Sequence, residues 1–143
     1  MFRLSSRSGS IGLKPDSVKL AEIARVESSR QVKIFERGIA LFNEGRFFEC
    51  HEAWEEIWLR VEADEKIFLQ GMIQAAVAIL HAQRGNIEGA RGQYAKACAK
   101  IDEMPESWRG VAIDQFREEL RGFFEVVLSG GAIPAAPKIN RIG

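Results

Sequence analysis

Two stretches decide the fold: FFECHEAWEEIWLRV at residues 47–61 and EKIFLQGMIQAAVAILHAQR at residues 65–84. In the first, large apolar side chains recur at helical spacing and several glutamates share the opposite side, which predicts an amphipathic helix. In the second, no charged residue stands between Lys66 and Arg84, and apolar residues occupy most of the circumference. This pattern predicts a central helix with neighbours on several sides.

Further helices are predicted on both sides of this pair. An irregular apolar pattern follows Asp16, which is a candidate N-cap, and clearer helices are predicted over residues 31–43, 87–103 and 111–128. The apolar stripe of the 31–43 helix comprises Val32, Phe35, Ile39 and Phe42. No segment alternates as a strand would. The sequence therefore predicts an all-α, compact, single-domain bundle of about five helices.

A weak internal repeat indicates how some of these helices pack. Gly45 precedes Cys50 by five positions, as Gly85 precedes Ala90, and each glycine stands before a predicted helix of a hairpin. The pattern predicts helical-hairpin packing of the tetratricopeptide type, although two copies are fewer than the three that such arrays need.

The chain is predicted to have three segments. Residues 1–30 form a partly flexible N-terminal extension, residues 31–128 form the helical domain, and residues 129–143 form a Pro/Gly-containing tail. A length of 143 residues, of which 46% are hydrophobic, suits one globular domain.

The composition narrows the classes of partner. The 20 basic and 20 acidic residues balance, which disfavours nucleic acid or an anionic membrane as the main partner. No apolar run is long enough to predict a transmembrane helix. The two cysteines lie within helical patterns, which is typical of a protein in the reducing cytoplasm.

His51 and Glu55 interrupt the apolar side of the 47–61 helix. On an ideal helix they lie between an arc containing Cys50, Trp54 and Ile57 and the more distant Phe48 and Leu59. They are one turn apart, so their side chains are neighbours. Because polar groups without partners are costly to bury, we expect both to be mostly buried and to find partners.

A second polar stripe runs along the 65–84 helix. Gln70, Gln74 and His81 lie within about 40° of one another on an ideal helix. The stripe either faces water or faces His51 and Glu55 across a helix–helix interface. The second arrangement is favoured here because the stripe contains only amides and an imidazole, whereas a solvated stripe usually includes Lys or Glu.

The segment FFECHEAWEEIW at residues 47–58 resembles the His-x-x-x-Glu-x-x-Trp signature of a small prokaryotic family, domain of unknown function number 309. The segment FLQGMIQAA at residues 68–76, followed by His81, is similar to a second block of that family. The resemblance covers roughly residues 34–128 and leaves residues 1–30 outside. It implies a compact helical bundle with His51, Glu55 and Trp58 as motif residues, for which metal binding has been suggested.

Three hypotheses for the site follow. His51, Glu55 and His81 supply the two imidazoles and one carboxylate of a divalent-metal site. Alternatively, the His51–Glu55 pair performs acid–base chemistry, with amide hydrogen bonds from Gln70 and Gln74. In the third hypothesis the cluster is structural, and the chain is a helical scaffold or a protein-interaction module.

These hypotheses leave the enzyme class and any ligand open. A small molecule or a protein is the expected partner, and oligomerisation stays open. The candidate ligand-binding residues are His51, Glu55, Trp58, Gln70, Gln74 and His81.

Overall fold

The structure is a computed structural model that describes the backbone of residues 10–142 and the side chains of residues 17–142. Of the partly flexible extension expected at residues 1–30, residues 1–9 lie outside the described residues, and residues 10–30 are helical. The helices are α1 (Ser10–Asn43), α2 (Phe47–Trp58), α3 (Ala63–Gln83), α4 (Ile87–Ile101) and α5 (Ile113–Leu128). Between α4 and α5 lie two short strands, β1 (Ser107–Trp108) and β2 (Val111–Ala112). The predicted all-α class is confirmed.

Helix α1 differs from the two helices that the sequence predicted. It continues without a break from Ser10 to Asn43, so Asp16 lies inside it and does not begin it. The residues near the expected break include Ser28 and Ser29 but no glycine or proline, so nothing there terminates a helix. Val32, which was expected to share the buried stripe, is 54% exposed.

The chain divides into two units, Met1–Lys33 and Ile34–Gly143. In the described part of the first unit, the large apolar side chains are more than half exposed. The second unit contains the hydrophobic core, and in it α3 packs against both α2 and α4. The prediction of a central, largely buried α3 is therefore correct.

The core of the second unit is aromatic where α1 meets α2. The Trp54 ring stacks on Phe35, with centroids 5.7 Å apart, and on Phe42, at 6.2 Å. Its Nε1 donates to the carbonyl oxygen of Phe35 at 3.2 Å. Because Gly38 has no side chain, the indole can lie directly against α1. Trp54 thus fixes the position of α2, which carries the His51–Glu55 pair.

The hairpin of β1 and β2 was not predicted. Its two-residue turn is Arg109–Gly110, and both residues have positive φ, at 50° and 76°. Positive φ at both positions is typical of the type I′ turn that joins tightly paired strands. Strands of two residues are too short to show alternation in a sequence.

The C-terminal tail packs in extended form on the same unit. Asn43 exchanges two hydrogen bonds with the backbone of Ile139, at 2.7 and 2.9 Å, and the Ile139 side chain is 2% exposed. The backbone N–H of Ala112 donates to the carbonyl of Asn140 at 2.9 Å, and Arg141 pairs with Glu36. Within the described residues, no helix is long and apolar enough to cross a membrane.

Candidate functional site

His51 and Glu55, called the motif pair below, lie on α2 and are both partly exposed to solvent. The Nε2 atom of His51 is 3.5 Å from Oε1 of Glu55, and the two side chains are 26% and 53% exposed. The expectation that both are mostly buried is therefore wrong for Glu55, while His51 is half-buried. A half-exposed pair retains much of its hydration, so it does not need the enclosing network that burial would require.

The His51–Glu55 pair is partly exposed because only one of the two apolar arcs of α2 is buried. Cys50, Trp54 and Ile57 are fully buried, whereas Phe48 is 48% exposed and Leu59 is 74% exposed. The pair thus lies at the boundary between the core and solvent and is not enclosed between two packed arcs. The Phe48 ring lies beside the His51 imidazole, with centroids 6.1 Å apart.

Trp58, the third motif residue, is half-buried beside α3. The ammonium of Lys66 lies over its ring, 4.1 Å from the centroid. This cation–π contact ties the end of α2 to the first turn of α3. The indole Nε1 of Trp58 is buried and has no hydrogen-bond partner in the described part of the chain.

Two residues of the polar stripe of α3, Gln74 and His81, contact α4 and the loop before it, so the preferred arrangement across from α2 is wrong for these two residues. Gln74 is 9% exposed, and its Oε1 accepts a hydrogen bond from Nζ of Lys100 at 2.8 Å. Nδ1 of His81 lies 3.3 Å from Nδ2 of Asn86, the residue that caps α4. Gln70 is half-buried. The stripe lies at the α3–α4 seam because the small residues of α3, such as Gly71, allow α4 to approach closely there.

The three-ligand metal set is not assembled. Across the described residues, no three His, Cys, Asp or Glu side chains are grouped so that they could hold a metal ion. His51 and Glu55 remain adjacent, while the recorded partner of His81 is Asn86. Two donors at i and i+4 could contribute to a metal site, with the remaining ligands coming from elsewhere.

The start of α2 stabilises the negative charge of Glu49. Glu49 lies in the first turn, where a backbone N–H hydrogen bond lowers the pKa of its carboxyl, with a further lowering from Arg46. Arg46 contacts this carboxylate at 3.1 Å. Exposed backbone N–H groups at a helix N-terminus favour a carboxylate in the ionised form.

Burial disfavours the thiolate form of both cysteines. Burial raises the pKa of the Cys50 thiol well above its usual range, and burial also raises the pKa of Cys98. Neither cysteine is in a disulfide. Since the thiolate is the reactive form, both side chains are held as neutral thiols at neutral pH.

A cluster that the sequence did not predict lies at the first turn of α3. Nε1 of Trp108 donates to Oε2 of Glu65 at 2.5 Å, and Nη2 of Arg109 is 3.5 Å from Oε1 of the same carboxylate. The Arg109 guanidinium also lies over the Phe35 and Trp108 rings, at 5.4 and 5.3 Å from their centroids. Its side chain is 18% exposed. The cluster attaches the hairpin to α3, and only the dipeptide Arg109–Gly110, with glycine at a turn, signalled it in the sequence.

Comparison with known proteins agrees with the resemblance of α2 and α3. Residues 35–93 match the family model described as a domain of unknown function, DUF309. The matched region runs from the part of α1 that packs in the core into α4, so it contains all six candidate site residues. The predicted resemblance to this family is confirmed over that region.

The chain is also similar to a protein of Aquifex aeolicus (strain VF5) that is named only as an uncharacterized protein. The two are 28% identical over 130 residues, which is 90% of this chain. The chain spans 38% of the length of that relative. Both comparisons leave the function uncharacterised.

Proposed function

We propose that the chain is a protein-interaction module that uses the outer face of α2 to bind a basic helix of a partner. The outer face comprises Phe48, His51, Glu52 and Glu55 of α2 together with Leu59, the C-cap residue that directly follows the helix. This proposal rests on one observation: two large apolar side chains, Phe48 and Leu59, are exposed on the same face as the half-exposed His51–Glu55 pair.

The geometry of the outer face suits a helical partner. On an ideal helix Phe48, Glu52, Glu55 and Leu59 lie within about 60° of one another, and His51 borders them. Phe48 and Leu59 are eleven positions apart, so a rise of 1.5 Å per residue separates them by about 16 Å. Two apolar anchors at this separation match a partner helix that buries apolar residues three turns apart.

The charge of this region determines which partner fits. The exposed carboxylates of Glu52, Glu55 and Glu56 lie on or beside the outer face. A second α2 would bring like charges together and would be repelled, whereas a helix with lysines or arginines between its apolar anchors would be attracted. We therefore commit to a basic amphipathic helix as the partner.

The proposal also explains why the motif pair is not enclosed. Apolar residues at positions 51 and 55 would stabilise the fold only if other parts of the chain covered them. This surface is not covered, so polar residues that can meet a partner are suited to it. With the pair at 26% and 53% exposure, both side chains remain available to a bound chain. His51 and Glu55 would then receive their remaining hydrogen-bond partners from the bound helix.

We further propose that the module acts in the cytoplasm and without nucleic acid. Two free cysteines, one buried and one half-buried, are consistent with a reducing compartment. The 20 acidic and 20 basic residues provide no excess positive charge for phosphate backbones.

A synthetic amphipathic helix of leucine and lysine, labelled with fluorescein, provides the probe. Fluorescence anisotropy should show saturable binding, and the double variant Phe48→Ala/Leu59→Ala should lower the affinity at least about tenfold, since exposed apolar anchors account for most of the binding energy. Adding Glu52→Gln to the double variant should lower the affinity for the peptide further and should make that affinity less dependent on salt concentration.

A matched control removes similar groups from α5, where Val126 is 39% exposed beside the exposed Glu125. The variant Val126→Ala/Glu125→Gln should bind the probe as the parent does. Equal losses in the α2 and α5 variants would show that the peptide binds through unspecific charge, and the proposal would then fail.

A further inference from the structure

Lys100 of α4 is a half-buried cation whose partners are neutral. Its Nζ donates to Oε1 of Gln74 at 2.8 Å and to the backbone carbonyl of Lys96 at 3.4 Å. In the part of the chain that the structure describes, Lys100 makes no ion pair with a carboxylate. The ammonium therefore contacts two neutral oxygens and has capacity for a further, anionic partner.

The stem of Lys100 is held in place by α3. A Cβ at Gly71 would lie 2.9 Å from the Cβ of Lys100, so the side chain can adopt this path only because residue 71 is glycine. From there the ammonium extends to Gln74, one turn farther along α3. The charge therefore has a defined position in the α3–α4 seam.

The surrounding seam offers hydrogen-bond donors. The oxygen of the Gln74 amide is engaged by Lys100, while its Nε2 makes no hydrogen bond within the described residues and is free to donate. Gln70 of α3 and Gln93 of α4 are also half-buried. Between Lys66 and Arg84 the sequence of α3 contains no acidic residue.

We propose that the Gln74–Lys100 pair binds an oxyanion, either a carboxylate or a phosphate. Nζ of Lys100 supplies the charge and a donor, and Nε2 of Gln74 supplies a second donor beside it. Charge-assisted hydrogen bonds of this kind are the strong ones, and the half-buried position protects them from screening. This site is separate from the outer face of α2, and its failure would leave the proposed function unaffected.

The test measures the unfolding temperature of the full chain against sodium phosphate and, in a second arm, sodium acetate, with chloride added to hold the ionic strength constant. An increase of about 3–6 °C is expected at tenfold excess over the dissociation constant, because binding to the folded state stabilises it by mass action, and the unfolding temperature should rise further with the logarithm of the anion concentration. The arm in which the increase begins at the lower anion concentration identifies phosphate or carboxylate as the preferred group.

The variant Lys100→Met keeps the stem and removes the charge, so it should abolish the increase in unfolding temperature. Lys96→Met, one turn away on α4 and exposed, removes the same charge and should retain the increase. An equal increase in Lys100→Met and in the parent would overturn the proposal, as would a parent unfolding temperature that changes with neither anion.

Side-chain amide NMR on the parent provides a measurement that does not depend on the folding of any variant. The Gln74 NH₂ resonances should shift with the same dissociation constant as the unfolding temperature. Resonances that stay unchanged while the temperature rises would place the anion elsewhere and refute this assignment.

Discussion

Gly38 is the residue of α1 against which the Trp54 indole of α2 packs, and its replacement by alanine tests how α2 is positioned. A Cβ at residue 38 would lie 2.5 Å from Cδ1 and 2.7 Å from Cε2 of Trp54, and nearer still to Nε1. Trp54 is fully buried and stacks on two phenylalanines, so its ring has no space into which it could retreat. Gly38→Ala must therefore displace the indole or separate the helices.

Three contributions determine how much Gly38→Ala changes the free energy of unfolding. Overpacking of a close-packed core costs about 1–3 kcal/mol. Displacing the indole also breaks the hydrogen bond from Trp54 to the carbonyl of Phe35, and leaving buried polar groups unpaired costs about 1–3 kcal/mol. Alanine regains about 1 kcal/mol through its higher helix propensity. We expect Gly38→Ala to lower the free energy of unfolding by about 2–4 kcal/mol.

Urea unfolding followed by tryptophan fluorescence and far-UV circular dichroism measures this loss. Gly92→Ala is the matched control because it makes the same change inside α4, where no atom lies within 4 Å of the added carbon. It should raise the free energy of unfolding by about 0.5–1 kcal/mol. If Gly38→Ala were as stable as Gly92→Ala, the close packing of Trp54 on α1 would be refuted.

Three further predictions concern the motif pair and the thiols. Glu55→Gln should cost less than about 1 kcal/mol in urea unfolding, because an ion pair at 3.5 Å with one partner 53% exposed is largely hydrated; a loss above about 2 kcal/mol would indicate a buried network. Stoichiometric Zn²⁺ should leave the unfolding temperature unchanged, since only two of the three expected ligands are adjacent; an increase that His51→Ala abolishes would show that further ligands complete the site. Burial raises the pKa of Cys50, so the folded state retains a proton that the unfolded thiol loses above about pH 8.5. The resulting stabilisation is complete below that pH and is lost above it, and a free energy of unfolding that stayed constant from pH 8 to pH 9.5 would contradict this.

Helix periodicity is a local property, which is why the elements around residues 47–61 and 65–84 could be predicted from the sequence. Glycine at positions 45 and 85 stops the preceding helices, and both adopt positive φ in the structure, at 81° and 80°. Asn86 caps α4 by accepting from the backbone N–H of Gly89 at 3.0 Å, as its side chain and position indicated. The prediction of a break near residue 30 was wrong because an irregular apolar pattern does not stop a helix.

For the candidate site, the sequence could predict the residues and their spacing but not their burial or their contacts. The sequence alone determined that His51 and Glu55 are neighbours, because they are one turn apart on a single helix. It could not determine which of two apolar arcs on α2 is buried, since burial depends on the elements that cover each arc. Trp54 packing on Gly38 directs one arc inward and leaves Phe48 and Leu59 in solvent. For the same reason the α3 stripe lies beside Lys100 of α4, because the choice between two flanking helices is made by tertiary packing and is not encoded in the period of either helix.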